Sequence, residues 1–254
     1  MTTDAMFRVD GRVAIVTGAG RGLGQALAVA LAQAGADVAG VDVSELDATK
    51  QRVEAAGRRF LALQADLRSI AVVAGIVDDT VRGLGRVDIL VNNAGLIRRQ
   101  DAIDFSEQDW DDVMNVNLKS AFFLAQAFAR QCFRQGGGGR IVNIASMLSF
   151  QGGIRVPSYT ASKSGIMGIT RLLANEWAAK GINVNAIAPG YMATDNTAAL
   201  RADEKRSAEI LGRIPAGRWG TPEDLAGAVV FLASPASEYV NGHTLAVDGG
   251  WLAR

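Results

Sequence analysis

Short runs of apolar, largely β-branched residues alternate with longer stretches of helical periodicity along almost the whole chain. Seven runs are predicted as strands, at residues 12–17, 37–42, 59–64, 87–92, 140–145, 182–188 and 243–248. Six stretches between them are predicted as helices, at residues 22–35, 44–57, 69–84, 106–135, 157–180 and 222–233. Strands that lack polar alternation are typical of parallel sheets covered on both faces. The alternation therefore predicts an α/β fold, a doubly wound parallel sheet of seven strands with helices on both faces.

A single domain covering residues 1–254 is expected, because no Pro/Ser-rich linker or shift in composition divides the chain. Of the 254 residues, 49% are hydrophobic and 20% are charged, which excludes a disordered chain and allows a sizeable core. The glycine run at 136–139 fits a loop between a helix and a strand. Residues 190–215 depart from the alternation, since they are polar and weakly helical, and are predicted to form a flap over a site.

Charge and rare residues argue against several kinds of function. The chain has 26 Lys and Arg against 26 Asp and Glu, so neither a nucleic acid nor a membrane is expected as a partner. The N-terminus has no secretory signal, and no stretch approaches the roughly 20 apolar residues that span a bilayer, so a cytoplasmic location is expected. The single cysteine, Cys132, and the single histidine, His243, argue against a Cys- or His-rich metal site and a Ser-His-Asp hydrolase.

A glycine-rich turn, TGAGRGLG at Thr17–Gly24, follows the first strand and opens the first helix. Its spacing differs from the common G-x-G-x-x-G fingerprint, but backbone without Cβ atoms still lets a pyrophosphate approach the amide groups of a helix N-terminus. No Gly-Lys-Ser/Thr sequence follows, which excludes a P-loop. The turn predicts a Rossmann-type dinucleotide site, with a purely structural turn as the alternative.

Asp42 ends the second predicted strand, where a nucleotide-binding sheet meets the adenosine ribose. A carboxylate there can accept hydrogen bonds from both ribose hydroxyls and would repel a 2′-phosphate. Arg21, within the glycine turn, favours NADP instead, because it could bind such a phosphate. An unpaired carboxylate beside a phosphate is costly, whereas Arg21 can turn into solvent, so the sequence favours NAD over NADP. A capping aspartate is the alternative for Asp42 alone.

Tyr159 and Lys163 lie four residues apart, on one face of a predicted helix. A phenolate at pH 7 needs about 4 kcal/mol of stabilisation, and an ammonium about 4 Å away supplies roughly that amount. The pair is therefore a candidate acid/base unit. Ser146 strengthens the assignment, because it ends the fifth predicted strand and ligands bind at the carboxyl ends of such strands.

Together these motifs resemble the short-chain dehydrogenase/reductase family. TGAGRGLG, NNAG at Asn92–Gly95, Asn117, Ser146, YTASK at 159–163 and the Pro189-Gly190 pair occur in the family order across nearly the whole chain. The resemblance implies that Tyr159 is the proton donor or acceptor, with Lys163 lowering its pKa. It also implies that Ser146 binds the reacting oxygen and that Asn117 anchors a water linking Lys163 to solvent.

The same resemblance implies the cofactor contacts and the assembly. Asp66 would face the adenine, Asn93 the adenine-side ribose, Lys163 the nicotinamide ribose and Thr194 the carboxamide. The full implied NAD-binding set is Gly18, Arg21, Gly22, Leu23, Gly24, Asp42, Asp66, Leu67, Asn93, Tyr159, Lys163, Pro189, Gly190, Met192 and Thr194. A homotetramer is implied, built through the helices at 106–135 and 157–180 and the last strand.

Longer segments, including NIASMLSFQGGIRVPSYTASKSG and RADEKRSAEILGRIPAGRWG, resemble the sugar-acid dehydrogenases of this family. This resemblance implies a deoxy sugar acid as the small-molecule substrate and a role in pectin and uronate degradation. Arg98, Arg99 and Arg155 flank the predicted site and could hold the substrate carboxylate, with Arg155 as first choice. Ser146 and Tyr159 would complete the substrate contacts. Solvated surface arginines are the alternative.

Two other functions are compatible with these motifs. A 3-oxoacyl-thioester reductase of the same family would normally use NADPH and an open apolar cleft, which Asp42 and the arginines disfavour. A non-catalytic dinucleotide-sensing module would have no need of Ser146, Tyr159, Lys163 and Asn117 together. Nicotinamide absorbance with candidate sugar acids distinguishes the three functions.

Overall fold

The computed structural model describes residues 2–254, and their strands form one continuous parallel sheet. The strands are β1 (Val13–Thr17), β2 (Asp37–Asp42), β3 (Phe60–Gln64), β4 (Ile89–Asn92), β5 (Gly139–Ile144), β6 (Ile182–Pro189) and β7 (Thr244–Val247). Their order in the sheet is β3-β2-β1-β4-β5-β6-β7, and every neighbouring pair is parallel. This confirms the seven-stranded doubly wound fold. The order changes direction between β1 and β4, where sheets of this class bind ligands.

Helices cover both faces of the sheet. They are α1 (Thr3–Met6), α2 (Gly22–Gln33), α3 (Asp47–Ala55), α4 (Val73–Leu84), α5 (Glu107–Met114), α6 (Ser120–Arg134), α7 (Leu148–Gln151), α8 (Pro157–Trp177), α9 (Ala198–Ala202), α10 (Glu204–Arg213) and α11 (Ala226–Ala233). Apolar residues of α2, α3 and α11 form one buried layer, and those of α4, α6 and α8 form the other. Successive residues of β1 face opposite layers, since Val16 lies in the first and Ile15 in the second.

Most predicted boundaries are correct to within a few residues. Ser106 caps α5, because its hydroxyl accepts a hydrogen bond from the Asp109 amide at 3.1 Å. Gly35, Gly57 and Gly181 end helical segments with φ of +112°, +73° and +82°, a conformation that glycine adopts at low cost.

The helix predicted at 106–135 contains a feature that the pattern did not indicate. Residues Asn115–Lys119 form a π-helical segment between α5 and α6. A π-helical turn accommodates one more residue than an α-helical turn and is often found at functional sites. Here it contains Asn117, one of the candidate catalytic residues.

Residues 190–215 leave the sheet after β6 and contain α9 and α10. Ile210 and Ile214 of this segment are buried in a small apolar cluster with Met147 and Trp251. The Trp251 indole donates a hydrogen bond to Gln151 Oε1 at 2.7 Å, and the Arg213 guanidinium lies 4.0 Å from its ring centre. The segment expected to form a flap therefore rests on α7 and on the C-terminus.

Within residues 2–254, no helix is both long enough and apolar enough to cross a membrane. Cys132 is fully buried in α6, and burial raises the pKa of its thiol to about 12, so it is not a reactive thiolate.

Candidate active site

One side of the glycine turn is open to a ligand, and the other side is closely packed against backbone. Gly18 and Gly22 adopt φ of +66° and +55°, in the left-handed region that other residues rarely adopt. A Cβ at Gly24 would collide with the carbonyl of Gly18, whereas one at Gly22 would meet nothing nearer than Thr194 Cγ2 at 3.9 Å. The turn thus presents the N-terminus of α2 to an open cradle. This geometry fits a dinucleotide pyrophosphate.

Asp42 lies against the glycine turn at the carboxyl end of β2. Its Oδ2 accepts a hydrogen bond from the Gly20 amide at 2.8 Å, and its Oδ1 accepts from the Ser44 amide at 3.0 Å and the Ser44 hydroxyl at 2.8 Å. The carboxylate is therefore fixed beside the cradle. Arg21 is directed elsewhere, because its guanidinium forms a 3.1 Å ion pair with Asp195.

The turn after β4 packs against the glycine turn. The Asn93 amide nitrogen Nδ2 donates to the carbonyls of Thr17 and Gly18, at 2.8 and 3.3 Å, so this side chain supports the glycine turn itself. Asp66 is bound by the guanidinium of Arg68, whose hydrogen bonds lower the pKa of the Asp66 carboxyl. Leu67 is buried beside it.

Ser146, Tyr159 and Lys163 meet where β5 ends and α8 begins. Ser146 is buried, and its Oγ accepts a hydrogen bond from the Leu148 amide at 3.1 Å. Lys163 is also buried; its Nζ donates to the Ile144 carbonyl at 2.6 Å and lies 5.8 Å from the centre of the Tyr159 ring. The three side chains expected to act together are therefore brought together by the fold.

Ionisation in the site is governed mainly by burial. Burial raises the pKa of the Tyr159 phenol above its usual value, while the nearby Ser146 hydroxyl and the charge of Arg99 act in the opposite direction. Burial lowers the pKa of Lys163 to about 8. Burial outweighs the groups that lower the Tyr159 pKa, and the Lys163 ammonium donates to the Ile144 carbonyl, so the expected lowering of the Tyr159 pKa by Lys163 stays a prediction.

Asn117 reaches the site through the π-helical segment. Its Oδ1 accepts a hydrogen bond from the Leu96 amide at 2.9 Å, and its Nδ2 donates to the Leu96 carbonyl at 3.0 Å and to Ser162 Oγ at 3.1 Å. The side chain thus holds the chain that follows the NNAG turn. A Cβ built on Gly95 would lie 3.4 Å from Asn117 Oδ1 and 3.6 Å from Lys163 Nζ, which places these two groups near each other.

The Pro189-Gly190 pair starts the segment that passes opposite the glycine turn. Pro189 is the last residue of β6, and a Cβ at Gly190 would come within 2.6 Å of Asp248 Cα. Met192 is buried, and Thr194 caps a short 3₁₀ turn opposite Gly22. Leu23 packs partly against the core from the first turn of α2.

The three arginines proposed for substrate binding are in different environments. Arg98 pairs with Asp109 of α5 at 3.1 Å. Arg155 has φ of +62° and pairs with Asp101 at 3.0 Å. Arg99 donates only to a main-chain oxygen, that of Asn196, at 3.1 Å. Of the three, Arg99 is the arginine whose charge acts to lower the Tyr159 pKa.

Two contributors to the site were not identified from the sequence. The Thr17 hydroxyl accepts hydrogen bonds from the amides of Asn93 and Ala94, both at 3.0 Å, and so fixes the NNAG turn. Ser44 holds Asp42 through two hydrogen bonds. Two signals were available in the sequence: Thr17 is the last residue of β1, and Ser44 lies two residues after Asp42.

Comparisons with known proteins agree with this geometry. Residues 18–252 match a family model described as enoyl-(acyl carrier protein) reductase. The chain is 67% identical over 248 residues, 98% of each chain, to 2-dehydro-3-deoxy-D-gluconate 5-dehydrogenase of Escherichia coli. A crystal structure of a candidate 2-deoxy-D-gluconate 3-dehydrogenase from Agrobacterium tumefaciens with bound NADP has a TM-score of 0.93 and 58% identity, covering 98% of this chain and 99% of that one. The 3-oxoacyl-[acyl-carrier-protein] reductase of Vibrio cholerae is less similar, at 42% identity over 96% of this chain and 98% of that protein.

Proposed function

The chain belongs to the short-chain dehydrogenase/reductase family, and from this we propose that it interconverts a hydroxyl and a ketone on a deoxy sugar acid, with NAD as cofactor. The substrate is of the 2-deoxy-D-gluconate or 2-dehydro-3-deoxy-D-gluconate type. The observation that carries the proposal is the meeting of Ser146, Tyr159 and Lys163 at the carboxyl end of β5, beside the cradle of the glycine turn.

In the proposed reaction, each polar group of the site has one task. When bound, the nicotinamide supplies the acceptor for the hydrogen and electron pair that leave the carbinol carbon. Tyr159 takes the hydroxyl proton during oxidation and returns it to the oxygen during reduction. Ser146 donates a hydrogen bond to the reacting oxygen, since its Oγ already accepts from Leu148 and its proton is free to point outward. Lys163 stabilises the negative charge on the phenol oxygen.

The proposal of NAD over NADP rests on Asp42 and Arg21. The Asp42 carboxylate is fixed by Gly20 and Ser44 at the ribose end of the cradle, where it would repel a 2′-phosphate. Arg21, which could bind that phosphate, pairs with Asp195. The Agrobacterium tumefaciens structure was solved with NADP, so relative use of the two cofactors is the sharpest test of this part of the proposal.

We further propose Arg99, in place of Arg155 or Arg98, as the residue that holds the substrate carboxylate. Arg98 and Arg155 are paired with neighbouring aspartates, whereas the polar partner of Arg99 among the described residues is a single carbonyl oxygen, and its charge acts to lower the Tyr159 pKa. A carboxylate at Arg99 would gain a charge-assisted hydrogen bond and would orient the reacting carbon towards Tyr159.

The test compares Arg99→Ala with the matched loop variant Arg155→Ala. Loss of a charge-assisted hydrogen bond worth about 1.5–3 kcal/mol predicts a KM for the sugar acid that is about 10- to 150-fold higher in Arg99→Ala, with unchanged NAD affinity. We expect Arg155→Ala to change KM much less. An equal effect of the two variants, or equal losses for acidic and neutral substrates, would refute the assignment to Arg99.

We also propose a homotetramer located in the cytoplasm and acting in pectin and uronate degradation, as the family resemblance implies. Large apolar side chains are exposed on the two helices concerned: Phe123 on α6 and Leu172 on α8. Tyr239, shortly before β7, is fully exposed. Exposed apolar residues grouped on these elements are typical of surfaces that become buried in an assembly.

A further inference from the structure

One hydroxyl group outside the proposed reaction steps connects two of the catalytic residues. Ser149 lies in α7, three residues after Ser146. The Ser146 amide donates a hydrogen bond to Ser149 Oγ at 3.2 Å, and the Ser149 hydroxyl donates to the carbonyl of Lys163 at 2.7 Å. An amide can only donate and a carbonyl can only accept, so the direction of both bonds is fixed. Ser149 therefore bridges the end of β5 and the catalytic helix α8.

The same short turn holds the other polar atoms of Ser146. The Ser149 amide donates to the Ser146 carbonyl at 2.9 Å, and the Leu148 amide donates to Ser146 Oγ at 3.1 Å. The amide, the carbonyl and one lone pair of the hydroxyl are thus all engaged by residues 148–149. Only the hydroxyl proton and one lone pair of Ser146 remain for the reacting oxygen.

Lys163 is held at two points by groups at the end of β5. Its Nζ donates to the Ile144 carbonyl at 2.6 Å, and its own carbonyl accepts from Ser149. Without the Ser149 hydroxyl, the connection would depend on the flexible lysine side chain and on the Asn143–Thr170 hydrogen bond at 2.9 Å, about two turns further along α8. The distance between Ser146 and the helix that carries Tyr159 would then be less well defined.

We propose that Ser149 is a positioning residue that fixes Ser146 relative to Tyr159 and Lys163. The inference rests on the proposed function in so far as these three residues perform the reaction, but it does not depend on which ketone or alcohol is the substrate. Misplacing a reacting group by about 1 Å can cost up to about 100-fold in rate. The proposal predicts a loss in kcat with little change in KM for the cofactor, because the glycine turn and Asp42 do not contact Ser149.

The test uses Ser149→Ala, Ser149→Cys and Ser149→Thr in the full-length enzyme. Reduction of 2-dehydro-3-deoxy-D-gluconate by NADH is measured, or, should the native enzyme not reduce it, reduction of the keto sugar acid or simple ketone that it reduces fastest. We expect kcat to fall about 10- to 100-fold in Ser149→Ala and Ser149→Cys, which lack a strong donor, and to be largely restored in Ser149→Thr. The dissociation constant of NADH is expected to stay unchanged in all three variants.

Ser237→Ala is the matched control, since Ser237 is also buried and its hydroxyl contacts main-chain carbonyls, those of Leu232 and Ser234 at 3.1 and 3.2 Å, outside the catalytic site. We expect its kcat to remain native. If Ser149→Ala does not fold, the comparison between Ser149→Cys and Ser149→Thr decides. Native kcat in Ser149→Cys, or a loss in Ser149→Thr equal to that in Ser149→Cys, would overturn the proposal. If the native enzyme does not reduce the sugar acid, the proposed substrate is refuted, and the role of Ser149 is tested with the substrate that the enzyme does reduce.

Discussion

Lys163 is a charged residue in a buried position, and this has a measurable effect on stability. Its pKa falls from 10.5 to about 8 because burial disfavours the ammonium. Between these pH values the unfolded chain binds a proton that the folded chain has lost, so the free energy of unfolding rises as pH increases. Below about pH 8 the folded protein carries the full cost of the buried charge.

This cost predicts the behaviour of Lys163→Met, which fills the same space without a charge. We expect the variant to be inactive and yet more stable than the native protein at pH 7, by up to about 3 kcal/mol. The difference should shrink as pH rises from about 8 to 10.5. Urea unfolding of both proteins across this range measures it, and a difference that is independent of pH would contradict the account.

The proposed preference for NAD over NADP can be tested by replacing Asp42. Asp42→Ala removes the carboxylate that would repel a 2′-phosphate, so we expect weaker use of NAD and stronger use of NADP. The ratio of kcat/KM for the two cofactors is the measurement, with Asp47→Ala on the exposed first turn of α3 as the control. A native enzyme that already uses both cofactors equally would show that Asp42 does not discriminate between them.

At the residue scale, the sequence allowed positions to be predicted where they depend on strand ends. Asp42 ends β2 and Ser146 follows β5, and apolar patterns set the positions of both strands. The preference for Arg99 over Arg155 is a proposal from the structure, because the partners of these arginines could not be predicted from the sequence. The 3.0 Å pair of Arg155 with Asp101 depends on loop conformations that no periodicity encodes.

At the scale of elements, the π-helical segment Asn115–Lys119 is the feature that most affects the site. A continuous apolar pattern predicted one helix over 106–135, and the pattern cannot indicate one extra residue in a turn. The segment directs Asn117 at the main chain of Leu96, to which its amide group both donates and accepts. The helix is therefore joined to the loop after β4 by a two-point contact.

Breaking this contact has a predictable cost. Asn117→Ala leaves the part-buried amide and carbonyl of Leu96 without their side-chain partner, and an unsatisfied group costs about 1–3 kcal/mol when it is fully buried. We expect the free energy of unfolding to fall by about 1–3 kcal/mol in a urea titration. Asn115→Ala, in the same segment, is the control, because its side chain makes none of these bonds. Equal stability of the two variants would show that the Leu96 contact is unimportant.

At the scale of the whole molecule, every candidate site residue lies near the carboxyl ends of the strands. This follows from the parallel sheet, and it explains why residues far apart in sequence, such as Gly22 and Thr194, face each other. The opposite ends carry structural charges instead: the buried Asp88 accepts from the Val13 amide at 3.0 Å and pairs with Arg12 and Arg86. The fold class could be predicted because alternation alone determines it, whereas assembly depends on exposed side chains.

The proposed tetramer predicts that a charge on the exposed face of α8 disrupts assembly. Leu172 is 47% exposed in the single chain, so Leu172→Glu would place a carboxylate in the proposed apolar interface. We expect the native protein to sediment as four chains and the variant as smaller species with an intact fold. Val43→Glu, at a comparably exposed position outside that helix, is the control. A native monomer would contradict the proposed assembly.

The proposed activity is tested by the reduction of 2-dehydro-3-deoxy-D-gluconate by NADH in the native protein and in Tyr159→Phe, followed by nicotinamide absorbance. We expect the native protein to turn the sugar acid over and Tyr159→Phe, which loses only the phenolic hydroxyl, to lower kcat by about 10²–10⁴-fold with unchanged NADH binding. Turnover by Tyr159→Phe at a near-native rate, or no turnover of any sugar acid by the native protein, would contradict the proposal.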